Sequence, residues 1–152
     1  MQAEQMSYKG RFKPHNPGKY KGNPTNIIYR SLWELRFMRY LDSHPNVLEW
    51  ASEEITIPYF SPVDKKIHRY FPDFWVRTKT SDGTINTMVI EIKPDIQTRI
   101  PVKKEKNTRR YINELKTFGV NTAKWKAAEQ YCLDRKWQFK VLTEKELGLD
   151  KF

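Results

Sequence analysis

One cysteine, Cys132, stands in a chain of 152 residues. It excludes an internal disulfide framework and any zinc site built on several thiolates. Long apolar runs are also missing: none approaches the ~20 residues that a membrane span requires. Residues 1–20 are polar and hold no apolar stretch to act as a signal peptide. Internal repeats and low-complexity tracts are absent, and the length suits one domain rather than two. Acids are in deficit, with 18 Asp and Glu against 28 Lys and Arg, a formal charge of +10 and a pI near 9.7. These absences predict a cytosolic or virion-internal chain. What is present is enough for a core, at 38% hydrophobic and 14% aromatic residues, so wholesale disorder is excluded. The surplus of cations calls for a polyanion, because neutralising backbone phosphates releases counterions without any sequence recognition. An anionic membrane is the rival partner, but no strongly amphipathic terminal helix supports it.

Residues 1–26 read as a basic, Pro/Gly-rich arm, and residues 27–152 as a single domain. The arm carries Lys9, Arg11, Lys13, Lys19 and Lys21 against Glu4 alone, with Tyr8, Phe12 and Tyr20 interleaved. Such a pattern suits a segment lying along a charged backbone, and equally a solvated tail. Helical spacing of Ile28, Leu32, Leu35 and Met38 predicts a helix over 27–41, stopped by Ser43, His44 and Pro45. Alternation predicts an edge strand within 53–60, a second strand over 67–76 with Pro72 marking an edge or a bulge, and a third over 84–93. Residues 61–66 and Ser81-Asp82-Gly83 are the turns between them. A basic helix is expected over 103–118 with Gly119 as its cap, then another over 121–135. Residues 137–143 alternate like a strand, and Thr143-x-x-Glu146 forms a capping box for a last short helix. Cys132 falls on a helix as a core thiol.

Against this basic background three acidic positions stand out. Asp73 follows Pro72, Glu91 precedes Lys93 by two residues, and Glu34 opens the first helix. Side chains alternate along a strand, so Glu91 and Lys93 share one face while Ile90 and Ile92 point to a core. One turn joins the two strands, which lets Asp73 and Glu91 converge. Two or three carboxylates can hold Mg²⁺ through oxygen while leaving room for water and a phosphate oxygen. Lys93 would orient the water and offset charge in the transition state. Each piece has a plainer reading. Glu-x-Lys is a common same-face ion pair of little worth, and Ser31-x-x-Glu34 is itself a capping box. His68 reads as a strand residue near the phosphate path, while His15 and His44 take no role.

The ordered set Glu34, Pro72-Asp73, Glu91-x-Lys93 resembles the PD-(D/E)XK nuclease superfamily, whose core runs αβββαβ. Tyr29-Arg30-Ser31-Leu32-Trp33-Glu34 with His68-Arg69-Tyr70-Phe71-Pro72-Asp73-Phe74 resembles its TnsA-like endonuclease branch. The run Met6 to Pro14 (MSYKGRFKP), residues 29–33 and residues 47–54 (VLEWASEE) resemble the small head-completion nucleases of large contractile-tailed phages. Residues 1–5 then look like an extra leader, with Met6 an alternative start. The resemblance implies an α/β, restriction-endonuclease-like fold, with a mixed central sheet flanked by helices. It implies a metal-dependent DNA endonuclease acting on genome ends during packaging and head completion, with Mg²⁺, or Mn²⁺ in its place, as cofactor. Glu34, Asp73 and Glu91 would hold the metal, and Lys93 would complete the catalytic set. Lys9, Arg11, Lys13, Arg30, His68, Arg69, Lys103, Lys104, Lys106, Arg109 and Arg110 are the expected DNA contacts. Double-stranded DNA is the expected partner, with phage head or portal proteins and a second copy as further candidates. The expected location is the host cytoplasm and the virion head. Two alternatives stay open: a non-catalytic DNA-end-binding or portal-associated protein on this fold, and a transposon-type subunit that needs a partner.

Overall fold

A computed structural model describes residues 8–103 and 106–148. Its centre is a four-stranded sheet in the order β3 (Val47–Ser52), β6 (Phe74–Lys79), β7 (Ile85–Ile92), β8 (Gln138–Leu142). The first three strands pair antiparallel, and β8 adds parallel to β7. A parallel neighbour needs a long crossover. Helix α2 (Arg109–Asp134) supplies it. Helix α1 (Leu32–Ser43) packs on the opposite face, and α3 (Glu144–Leu147) follows β8. Two ribbons lie outside the sheet: β1 (Gly10–Phe12) with β2 (Ile27–Tyr29), and β4 (Ile57–Phe60) with β5 (Ile67–Tyr70). Counted by sheet strands, the order α1-β3-β6-β7-α2-β8 is the expected αβββαβ of a restriction-endonuclease-like fold.

The period-2 alternation of the central strands divides the core. Phe74, Val76, Ile90 and Ile92 face α1, where they meet Trp33, Phe37, Met38 and Leu41 around a Trp50 with no exposed surface. On the other side α2 covers the β4–β5 ribbon, with Ala128 packed on Ile57, Tyr59 and Tyr70. Val89 is buried as well, so β7 is covered on both faces.

Several elements depart from the periodicity. The first helix begins at Leu32, not at Ile27, because Ser31 caps it by accepting the Glu34 N–H at 3.1 Å, while Ile27 and Ile28 belong to β2. The first strand of the sheet is Val47–Ser52, which the sequence pattern left unassigned, and only the end of 53–60 is extended, in the outer ribbon. The expected strand 67–76 is two strands in two sheets, broken at Phe71-Pro72-Asp73 because Pro72 has no N–H for a ladder. The two expected helices are one helix of 26 residues that runs through Gly119, so Gly119 is no cap. A continuous apolar face against the ribbon outweighs the ~1 kcal/mol that an interior glycine costs. That helix starts after Thr108, which leaves Lys103 and Lys106 on the connecting segment rather than on a basic helix. The Thr143–Glu146 capping box is present as expected, and Cys132 is buried, its thiol pushed up to about 11 by burial.

Residues 8–26 do not lie free as an arm. Phe12 and Tyr20 are core residues against Trp50, at ring separations of 5.9 and 4.8 Å. Asp42, at the end of α1, fastens the segment. Its carboxylate accepts the His15 and Asn16 N–H groups at 2.8 and 3.0 Å, and its carbonyl accepts Asn16 Nδ2 at 2.9 Å and Lys19 Nζ at 3.0 Å. Only 2% of Asp42 is exposed, so its loss strands two backbone donors. Asp42→Ala is expected to cost about 1–3 kcal/mol in a denaturant titration. It should also expose residues 8–20 to limited proteolysis before the sheet unfolds.

Candidate active site

The end of the β6–β7 hairpin gathers the acidic residues. Phe74 pairs with Ile90, so one step back along β6 Asp73 stands across from Glu91. Asp73 is held from both sides. Its Oδ2 accepts the Ile92 N–H at 2.7 Å, and its carbonyl accepts the Glu53 N–H at 3.1 Å. Glu53 takes the left-handed conformation (φ 55°), which costs a non-glycine residue roughly 1–2 kcal/mol, and Arg30 grips its carboxylate at 3.1 and 3.2 Å. Glu91 is 7% exposed, with Oε1 accepting the Tyr70 hydroxyl at 2.6 Å and Oε2 lying 3.2 Å from Lys93 Nζ. Glu34 is buried at the first turn of α1, where its oxygens accept the Arg30 N–H at 3.3 Å and the Ser31 hydroxyl at 3.4 Å. It therefore completes the helix start while facing the same acidic region.

Electrostatics tie these groups together. Burial first, then the charges of Glu91 and Glu34, hold the Asp73 carboxyl well above the usual carboxylate range. Burial also raises Glu34, with the charge of Glu53 adding to it. Tyr70, buried beside Glu91, is pushed far up and stays a hydrogen-bond donor. The sequence-based reading gave no role to Tyr70, Glu53 or Lys124. Lys124 of α2 has its Nζ 5.8 Å from the Tyr59 ring centroid and 5.6 Å from that of Tyr70, and its charge interacts with Lys93, Glu91 and Asp73.

Among the described residues no three His, Cys, Asp or Glu side chains close into a metal cage. The arrangement is a facing carboxylate pair, with Glu34 further back in the helix start. Such a pair suits Mg²⁺, which binds through one or two carboxylates and takes its other ligands from water and phosphate. It does not suit zinc, which prefers nitrogen and sulfur donors in a closed tetrahedron. A half-buried acid facing a buried one, with one lysine bound to the buried one, is a fit for a hard cation.

The family model described as TnsA-like endonuclease N terminal matches residues 44–144. The chain belongs to the TnsA-like endonucleases. The matched span holds Asp73, Glu91, Lys93 and Lys124, and starts after Glu34. A curated relative, the "Head completion nuclease" of Enterobacteria phage T4, is 42% identical over 143 residues, covering 91% of this chain and 93% of that protein. No helix among the described residues is long and apolar enough to cross a membrane.

The expected DNA contacts of this TnsA-like endonuclease fall into separate groups. Arg30, exposed but paired with Glu53, adjoins the acids. His68 and Arg69 lie on β5, directly before Tyr70; His68 Nε2 meets Asp64 at 2.6 Å and stacks on Tyr59. Lys9 is exposed beside β1, while Arg11 and Lys13 line a cleft with Arg39 along α1. Lys103, Lys106 and Arg109 are exposed before and at the start of α2, and Arg110 pairs with Glu114 at 3.0 Å. Lys104 lies outside the described residues.

Because the Asp73 carboxyl binds its proton more tightly when folded, the stability it carries is present at low pH. That stability is lost as pH rises through its folded value. Asp73→Asn keeps an oxygen for the Ile92 N–H and removes the charge. The variant should melt about 2–4 °C above the parent at neutral pH without divalent ions, the shift that about 1 kcal/mol gives a domain of this size. The difference should shrink on acidification. A lower melting temperature for the variant across that range would contradict it.

Proposed function

We propose that this chain is a Mg²⁺-dependent DNA endonuclease that hydrolyses phosphodiester bonds at phage genome ends as heads are completed. One observation carries the reading: Asp73 and Glu91 face each other at the end of the central hairpin, and Lys93 is bound to Glu91. Family membership supports nuclease chemistry, and the name of the T4 relative supports the setting in head completion.

Asp73 Oδ1 and the Glu91 carboxylate would hold the cation, with Glu34 as the third acid behind them. Mg²⁺, or Mn²⁺ in its place, supplies a Lewis acid that polarises a phosphate oxygen and makes water more acidic. The chain's own groups do the rest. Tyr70 fixes the orientation of the Glu91 carboxylate by its 2.6 Å hydrogen bond. Lys93 offsets the charge that builds on phosphorus oxygens and stands where it can orient the attacking water. Arg69, next to Tyr70 on β5, and Arg109, at the start of α2, would hold flanking phosphates. Head or portal proteins, and a second copy supplying a cut on the other strand, are the partners this reading invites.

The test is a plasmid cleavage assay with Mg²⁺, Mn²⁺ or EDTA. Parent protein should nick with either metal and not in EDTA. Asp73→Ala should lose at least about 10³-fold in rate while still shifting duplex DNA, since the phosphate-holding cations remain. Cleavage by Asp73→Ala at the parent rate would sink the assignment. Calorimetry then separates enzyme from binder: divalent-ion heat should appear in the parent and vanish in Glu91→Ala, whereas a purely DNA-binding protein shows none in either.

A further inference from the structure

Helix α2 presents Val120, Lys124, Ala128 and Cys132 at four-residue spacing, so they lie on one face. Ala128 and Cys132 are fully buried there, and Val120 packs on the same cluster. A lysine in the middle of such a stripe loses hydration and needs a reason.

We propose that Lys124 is a phosphate-holding residue of the active site, its ammonium taking an oxygen of the DNA phosphodiester that meets the carboxylate pair. Its surroundings are made by the β4–β5 ribbon. Tyr59 and Tyr70 offer their ring faces to Nζ from 5.8 and 5.6 Å, a placement that attracts a cation electrostatically and shields it from water. Tyr70 is the residue whose hydroxyl reaches Glu91, so the ring under the ammonium is part of the acidic site.

The two lysines of the site differ in what they hold. Lys93 is committed to Glu91 at 3.2 Å. Lys124, among the described residues, has no carboxylate within ion-pairing distance; the acids of the site lower its electrostatic cost without touching it. A half-buried ammonium lacking a direct anion is stabilised when an anion arrives, and a shielded site strengthens that attraction. Phosphate is the anion a nuclease brings there. A compact ammonium with three donors suits one phosphate oxygen, as distinct from the bidentate grip of an arginine. The ordinary alternative is a lysine that lays its stem along the rings and extends its head to solvent.

This inference rests on the nuclease reading, and its test includes a measurement that does not. Lys124→Met keeps an unbranched apolar stem between the tyrosines, and Lys124→Arg keeps the charge. Lys124→Met should lower the cleavage turnover about 10²-fold, the scale for removing one donor aimed at a developing oxyanion. Lys124→Arg should recover part of that, and neither variant should weaken divalent-ion binding by calorimetry or the melting temperature. Separately, duplex binding is measured against salt in the non-cleaving Asp73→Asn protein with and without Lys124→Met. The slope of log affinity against log salt should fall by about 0.9, the value of one phosphate contact. An unchanged slope, or a Lys124→Met protein that cuts at the parent rate, overturns the proposal. A parent protein that cuts with no divalent ion at all would overturn the metal-dependent reading instead, and the slope would still decide Lys124.

Discussion

Two carboxylates held side by side in a shielded place are costly, and much of this structure is organised around that cost. Asp73 and Glu91 are opposed across the β6–β7 register, and each is tethered by groups from other elements. The Ile92 N–H comes from the partner strand, the Tyr70 hydroxyl from the outer ribbon, and the Lys93 ammonium from the strand's continuation. Removing any of these leaves a shielded acid with a lost partner, which costs stability. The position of the ribbon follows. Tyr70 must end β5 next to Glu91, so the chain has to leave the outer ribbon and enter the central sheet within three residues. Phe71-Pro72-Asp73 makes that passage. Proline there is an element boundary as much as a motif letter, because it interrupts hydrogen bonding between two sheets that run in sequence.

The part of the site carried by period-2 alternation was legible without coordinates. Glu91 and Lys93 had to share a face, and a single turn between strands had to bring Asp73 near them. The αβββαβ order was also legible, although through a compensating error: β3 was missed, and the β4 region counted in its place. Val47-Leu48-Glu49-Trp50-Ala51-Ser52 hides its strand because Trp50, Ala51 and Ser52 are buried in succession, so no alternation is left to read. The merged helix failed for a different reason. Glycine at 119 argues locally for an end, but the apolar face of α2 continues past it onto the ribbon, and burial decides.

Lys124 and Tyr70 show where a single sequence stops. Tyr70 stands within the quoted motif run, but its role depends on the hydroxyl reaching a strand 21 residues away. Lys124 did leave a trace, a cation inside an apolar stripe at four-residue spacing. The stripe identifies the buried side of the helix; only the crossover to β8 determines that this side lies over the acids. Glu53 left no trace at all, since its left-handed conformation belongs to the irregular connection between β3 and β4.

The charge of +10 has to be read through the same packing. A cation counts toward DNA only if the fold has not already used it. Lys19 is spent on the carbonyls of Asp42 and His44 at the end of α1, where it supplies donors that the helix terminus lacks. Arg30, Arg77 and Lys93 are committed to Glu53, Glu49 and Glu91. Arg135 stacks on the Tyr131 ring at 3.5 Å. Each of these cations does local structural work, and several do it close to the acids. The surplus that remains for a polyanion is smaller than the net charge suggests, and it is divided among the α1 cleft, β5 and the entry to α2. The carboxylate pair itself is a place of negative charge. A phosphate backbone is thus drawn to the surface generally but repelled at the carboxylate pair unless positive charge stands beside it. Of the two lysines whose charge reaches the pair among the described residues, Lys93 is bound to Glu91, whereas Lys124 has no carboxylate within ion-pairing distance.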